Sequence, residues 1–157
     1  MSDQSGLSGG SFAAGKGIVL TLEDFDGYTA PFSGIYQLLW FMENTPGLHY
    51  TLDTGNFVYS DENVLDAFGV LQRYIAHVHC KDRAPDPKAP RGVYSRGLLP
   101  APVGKGYLPM GEVLQRLLDM GYGGFLAAEH FGATDQMEYI RESARFLSDW
   151  LHTHACG

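Results

Sequence analysis

Four times along the chain, a short run alternating apolar and polar residues gives way to a longer run whose apolar residues fall three and four apart. Period 2 marks a strand with two unlike faces, and period 3.6 a helix with one apolar stripe. The pattern predicts strands over 17–25, 48–54, 75–82 and 124–131, followed in turn by helices over 31–44, 61–74, 109–120 and 134–150. Ser33 and Thr134 stand where caps for the first and last helices belong, and Gly121 where the third should stop. Residues 83–108, rich in Pro, Gly and Arg, read as a long loop. The order βαβαβαβα implies a parallel α/β architecture. Residues 1–15 are Gly- and Ser-rich and read as a disordered or linker segment, 16–151 as the folded domain, and 152–157 as a flexible tail.

The two strand faces differ in chemistry. Leu20 and Leu22, Tyr50 and Leu52, Ala76, Val78 and Cys80, and Leu126 and Ala128 form a face that helices can cover. The opposite face turns polar towards each strand's C-terminal end, where it carries Glu23, Asp53, His79 and Glu129. Parallel α/β proteins build their sites at that end. At matching register on successive strands, three carboxylates would converge and repel, and a divalent cation is the simplest partner that makes such a cluster favourable. Three oxygen donors and one imidazole suit Mn2+, Mg2+, Co2+ or Zn2+ without choosing among them. Lys81 follows on the same face and points inward, either to contact substrate or to balance the carboxylates. His77 lies one layer deeper and reads as a hydrogen-bonded core histidine, while Cys80 reads as a small buried hydrophobe.

Composition narrows the partners. The chain has 157 residues, 45% hydrophobic and 18% charged, with a net charge of −7. That balance argues against nucleic acid and against an anionic membrane surface. Two cysteines make no disulfide framework, no apolar run approaches a membrane span, and the first residues lack a signal-peptide pattern, so a cytoplasmic location is expected. The stretch 10–17 mimics a phosphate-binding G-x-x-x-x-G-K loop but lacks the following Ser or Thr and a preceding strand.

LTLEDF, YTLDTGN, IAHVHCKD and PVGKGYLPMGEVLQRLLDMGYGGFLAAEH together resemble the second half of the xylose-isomerase-like TIM barrels, the superfamily of sugar-phosphate isomerases and epimerases. The resemblance spans residues 16–151. It implies that Glu23, Asp53, His79 and Glu129 hold a divalent metal, the four residues that alternation also selects. It further implies metal-dependent isomerisation or epimerisation of a sugar or sugar phosphate by proton transfer through an enediolate. Glu23 and Glu129 would then be the general base and general acid.

Two departures from the family pattern matter. Asn56 stands where ketose epimerases carry a histidine, and it can still donate to a substrate hydroxyl. Arg83, Arg91 and Arg96 offer a phosphate or carboxylate contact, with a solvated loop as the equal alternative. Length is the larger departure. A complete barrel takes about 250 residues and eight strands, and this chain supplies four. The expected fold is a parallel (βα)4 half barrel, closed by self-association or by a complementary N-terminal half. The competing expectation is a truncated, non-catalytic homologue that serves as a binding or assembly module.

Overall fold

The computed structural model describes residues 9–86, 88 and 97–154. Four strands form one parallel sheet: β1 (Leu20–Glu23), β2 (Leu48–Asp53), β3 (Ile75–Cys80) and, after a two-stranded excursion, β6 (Leu126–Ala128). A short helix, α1 (Gly9–Ala14), precedes them, where a linker was expected. The connections carry α2 (Ile35–Asn44), α3 (Val64–Leu71) and α4 (Met110–Asp119), and α5 (Gln136–His154) closes the chain.

The spatial order β1-β2-β3-β6 follows chain order throughout. Right-handed crossovers that always step the same way put every helix on the same side of the sheet. A doubly wound sheet reverses direction at a switch point, and this one does not. The helix-covered side holds the core: Leu38 and Met42 of α2, Leu52, Val78, Phe68, Leu71, Leu114, Leu117 and Leu147 are all buried in a single cluster. Each such side chain contributes about 1.5–3 kcal/mol by leaving water.

Several local expectations are corrected. Residues 83–108 are not simply loop, because β4 (Asp82–Pro85) and β5 (Leu98–Ala101) pair antiparallel. Pro85 and Pro100 hide that ribbon from a sequence reading, since proline is admitted in strands only at free edges. Ser33 does not cap α2. Its hydroxyl donates to Ala30 O, and the Glu62 carboxylate accepts from Ile35 N at 2.8 Å instead. On α5 the capping oxygen belongs to Asp135, one residue past Thr134, and accepts from Glu138 N at 3.0 Å. The same helix runs on to His154, which stacks on Trp150 at 4.2 Å, so residues 152–154 are helical where a tail was expected. Arg91, Arg96 and Cys156 lie outside the described residues.

The parity of the strands is as expected, but their register is not level. Glu23 pairs with Thr51, Asp53 with His79, and His79 with Ala127. Glu23 therefore sits two residues below Asp53 on the ladder, and Glu129 two residues above His79. Strands that tilt as in a barrel produce such a diagonal. The bond from Thr51 Oγ1 to Thr21 Oγ1, 2.8 Å, runs along it.

Candidate metal centre

Glu23 ends β1, Asp53 ends β2, His79 is the penultimate residue of β3, and Glu129 follows β6. One potential ligand atom from each lies within 4.8 Å of all the others. The diagonal register is compatible with this because the two outer residues are glutamates. Their extra methylene lets them reach towards His79, which stands between them. His79 Nδ1 is 2.8 Å from Glu23 Oε1 and 3.2 Å from Glu129 Oε2.

Asp53 and Lys81 form the buried floor. Lys81 Nζ lies 2.8 Å from Asp53 Oδ2 and 3.0 Å from Glu129 Oε1, and donates to Asn56 Oδ1 at 3.1 Å. Asp53 Oδ1 accepts from Gly55 N at 2.8 Å. Asp53 Oδ2, by contrast, has only its ion pair. Among the described residues no backbone N–H or hydroxyl reaches this buried oxygen; the Lys81 ammonium at 2.8 Å is the group that meets it. Gly55 is required here, because a Cβ would stand 2.8 Å from Lys81 Cγ and 2.9 Å from Lys81 O.

Proton affinities follow the geometry. The Glu129 and Glu23 carboxylates hold the His79 imidazolium up to about 10 against the opposing effect of burial. The His79 hydrogen bond, opposed by burial and aided by Lys81, brings the Glu129 carboxyl down to about 2. Burial pushes the Asp53 carboxyl up to about 6, against the pull of Lys81. Burial also works to lower the Lys81 ammonium, but Asp53 and Glu129 outweigh it and the group ends above its ordinary value. At Cys80 burial pushes the thiol up to about 12, consistent with a small inert core residue.

The sequence reading missed Asp24. This fully buried carboxylate accepts from Tyr50 Oη at 2.5 Å and from Asp53 N at 2.9 Å through one oxygen. Burial, reinforced by the charge of Asp53, raises its pKa well above the ordinary carboxylate value. Tyr50 was the available signal, since a tyrosine on the helix-facing side of a strand needs a partner for its hydroxyl. Asn56 Nδ2 donates to Asp24 O at 2.9 Å, so the asparagine is fixed from both ends, to Asp24 and to Lys81.

A cavity of about 710 Å3 opens over the cluster, lined by Glu23, Asp24, Asn56, His79, Lys81 and Glu129, with Phe25, Phe32 and Phe131 as an aromatic wall. Arg83 does not line it. Its guanidinium is buried behind, with Nε donating to Gly55 O at 3.3 Å, Nη2 3.7 Å from Asp26 Oδ2, and its carbon 5.0 Å from the Tyr59 ring centre. His77 is partly buried and meets His79 edge to face at 5.1 Å.

The donor set fits a hard or borderline divalent cation: three carboxylates and one imidazole, with a buried carboxylate oxygen that meets only an ammonium. Glu23, Asp53, His79 and Glu129 are the residues that would hold it. No helix among the described residues is long and apolar enough to cross a membrane.

Most of the chain resembles known structures. No curated protein matches it. Among solved structures, a xylose isomerase domain protein from Planctomyces limnophilus is 27% identical with a TM-score of 0.70, and the match covers 91% of this chain and 48% of that one. A D-tagatose 3-epimerase-like protein is 21% identical with a TM-score of 0.69, covering 92% and 51%. The probable 3-DHS dehydratase of petrobactin synthesis from Bacillus anthracis is 18% identical with a TM-score of 0.66, covering 87% and 52%. The chain thus spans about half the length of these structures, and the variety of their names shows that the fold does not fix the reaction. The family model for the xylose isomerase-like TIM barrel matches residues 9–150, and the chain belongs to that family as a four-stranded half barrel.

Proposed function

We propose that the protein is a divalent-metal-dependent isomerase or epimerase of a sugar or sugar phosphate. The observation that carries this reading is the convergence of Glu23, Asp53, His79 and Glu129 within 4.8 Å, with the buried Asp53 Oδ2 already drawing a cation, the Lys81 ammonium, to 2.8 Å. A divalent cation bound there would polarise a substrate carbonyl and so acidify the neighbouring C–H.

The remaining chemistry belongs to the chain. Glu23 and Glu129 approach the cluster from the two outer strands, so one can take a proton from carbon and the other return one. Glu129 is ionised at neutral pH, as a base must be. Asn56 lines the cavity with its amide held between Asp24 and Lys81, a fixed polar floor against which a substrate hydroxyl can be placed. The phenylalanine wall can accept the C–H face of a sugar and exclude water from it. Arg83 acts on substrate only indirectly, through Gly55 and through Asp26, which lines the cavity.

β1 and β6 are the edges of the described sheet, and Ile18, Val19 and Phe125 beside them are exposed. This supports closure by a further set of strands, through self-association or a complementary half. The same open edges favour the second reading, a non-catalytic binding or assembly module.

Deuterium exchange separates the two readings. The protein is loaded with Mn2+ in deuterated water and offered a panel of ketoses and ketose phosphates. Incorporation of deuterium at a carbon next to the carbonyl, lost in Glu129→Gln, is the expected result. No incorporation from a metal-loaded, closed assembly would leave the module reading.

A further inference from the structure

Lys81 is a buried cation of the candidate site that needs no bound metal. It is only 4% exposed, and its stem packs against Gly55 so closely that no Cβ fits between them. Its ammonium is shared by Asp53 Oδ2 and Glu129 Oε1, two of the four candidate ligand residues, at 2.8 and 3.0 Å. Asn56 Oδ1 accepts its third contact. The backbone is fixed too, because Lys81 N donates to Thr54 Oγ1 at 2.8 Å while Thr54 Oγ1 donates to Lys81 O at 2.7 Å. The ammonium is thus held in place by both its backbone and its stem.

A buried ion pair and a metal–carboxylate bond draw on the same lone pairs. Asp53 has one oxygen committed to Gly55 N, which leaves only Oδ2 for either cation. We propose that Lys81 is an internal counter-cation that competes with divalent metal for Asp53 and Glu129. It holds the carboxylates together when no metal is bound, and metal entry displaces its ammonium from Asp53 Oδ2. This rests on the metal-centre reading above and adds a positioning role that sets metal affinity. Its consequence is a site that stays assembled without metal and binds metal more weakly than its four ligands alone would.

Calorimetric titration with Mn2+ tests the proposal, using the wild type and Lys81→Met, which keeps most of the stem and loses the charge. The variant is expected to bind Mn2+ about tenfold tighter or more, because metal no longer has to break an ion pair. In EDTA it should melt below the wild type, since Asp53 is left buried and unpaired, and saturating Mn2+ should raise its Tm by more. Equal or weaker Mn2+ binding by the variant, with the wild type binding normally, overturns the proposal and leaves the metal centre standing. No Mn2+ binding by either protein overturns both. Binding by the variant alone supports the proposal in its strongest form.

A second measurement needs no variant. Reductive methylation of the wild type, mapped by peptide mass, should spare Lys81 in EDTA and label it in Mn2+, with Lys16, Lys88 and Lys105 as internal references. Equal protection of Lys81 in both conditions overturns the displacement.

Discussion

Two buried aspartates, Asp53 at the end of β2 and Asp82 at the start of β4, do opposite things. Asp82 accepts four backbone N–H groups: Arg83 at 2.8 Å and Leu108 at 3.3 Å through Oδ1, and Gly104 at 3.0 Å and Gly106 at 2.9 Å through Oδ2. Asp53 accepts one, and its second oxygen meets only an ammonium. Both are essentially inaccessible. A carboxylate whose lone pairs are all spoken for by backbone is scaffold. A buried one held by a single N–H and an ammonium has a cation, not the backbone, as its main partner, and that partner can be exchanged for another cation. The scaffold aspartate also explains the PVGKG stretch. Gly104 takes a positive φ of 82° against Phe146, and a Cβ on Gly106 would fall 2.0 Å from Asp82 Oδ1.

The largest effect should separate the two aspartates by what is lost. Asp53→Ala should abolish Mn2+ binding and lower deuterium exchange by about 10²–10⁴-fold, as for loss of a principal site residue. Asp82→Ala should instead cost about 3 kcal/mol or more in stability, because several buried N–H groups lose their acceptor together. Urea unfolding beside Mn2+ titration reads both. An Asp82 variant of wild-type stability would break the comparison.

Next in size is Gly106→Ala, expected to cost about 2 kcal/mol by pushing Asp82 out of the loop, with Mn2+ affinity retained in the folded fraction. A full loss of Mn2+ binding in the folded variant would mean that the two regions are one unit.

Ser143→Ala should cost about 1–2 kcal/mol. Ser143 Oγ accepts from Val103 N at 2.8 Å and bonds His130 Nε2 at 2.8 Å, tying the loop after β5 and the residue after Glu129 to α5. Thermal unfolding measures the loss.

The smallest effect depends on pH. His79 has a folded pKa raised to about 10 by Glu129 and Glu23. Its stabilising contribution is full below its unfolded value of about 6.5 and is lost as pH rises through about 10. In EDTA, the stability difference between wild type and His79→Gln should therefore be widest near pH 6 and shrink steadily towards pH 10. Side chains at this rim are partly exposed, so the difference is modest and falls with salt. A constant difference across that range would remove the ion pair from the account.

Strand parity was legible because alternation is a local consequence of the pleat. Glu23, Asp53, His79 and Glu129 all fall on the face away from the core, as Leu22, Leu52, Val78 and Ala128 fall towards it. The helices were legible for the same reason, although their ends were not. Caps are chosen among several nearby oxygens by tertiary geometry, and the Glu62 carboxylate, 27 residues along the chain from Ile35, takes the place expected of Ser33.

The sequence by itself determined the alternation of strands and helices, the face on which the four candidate ligands lie, and the inward direction of Lys81. Those follow from period, and period needs only neighbours. Only the tertiary structure decided the diagonal register, the pairing of Lys81 with Asp53 and Glu129, the support of Asp53 by Asp24 and Tyr50, and the use of Asp82 as scaffold. Register is a relation between strands, and a buried carboxylate's role depends on which donors reach it. Both are set by contacts between residues far apart in the chain.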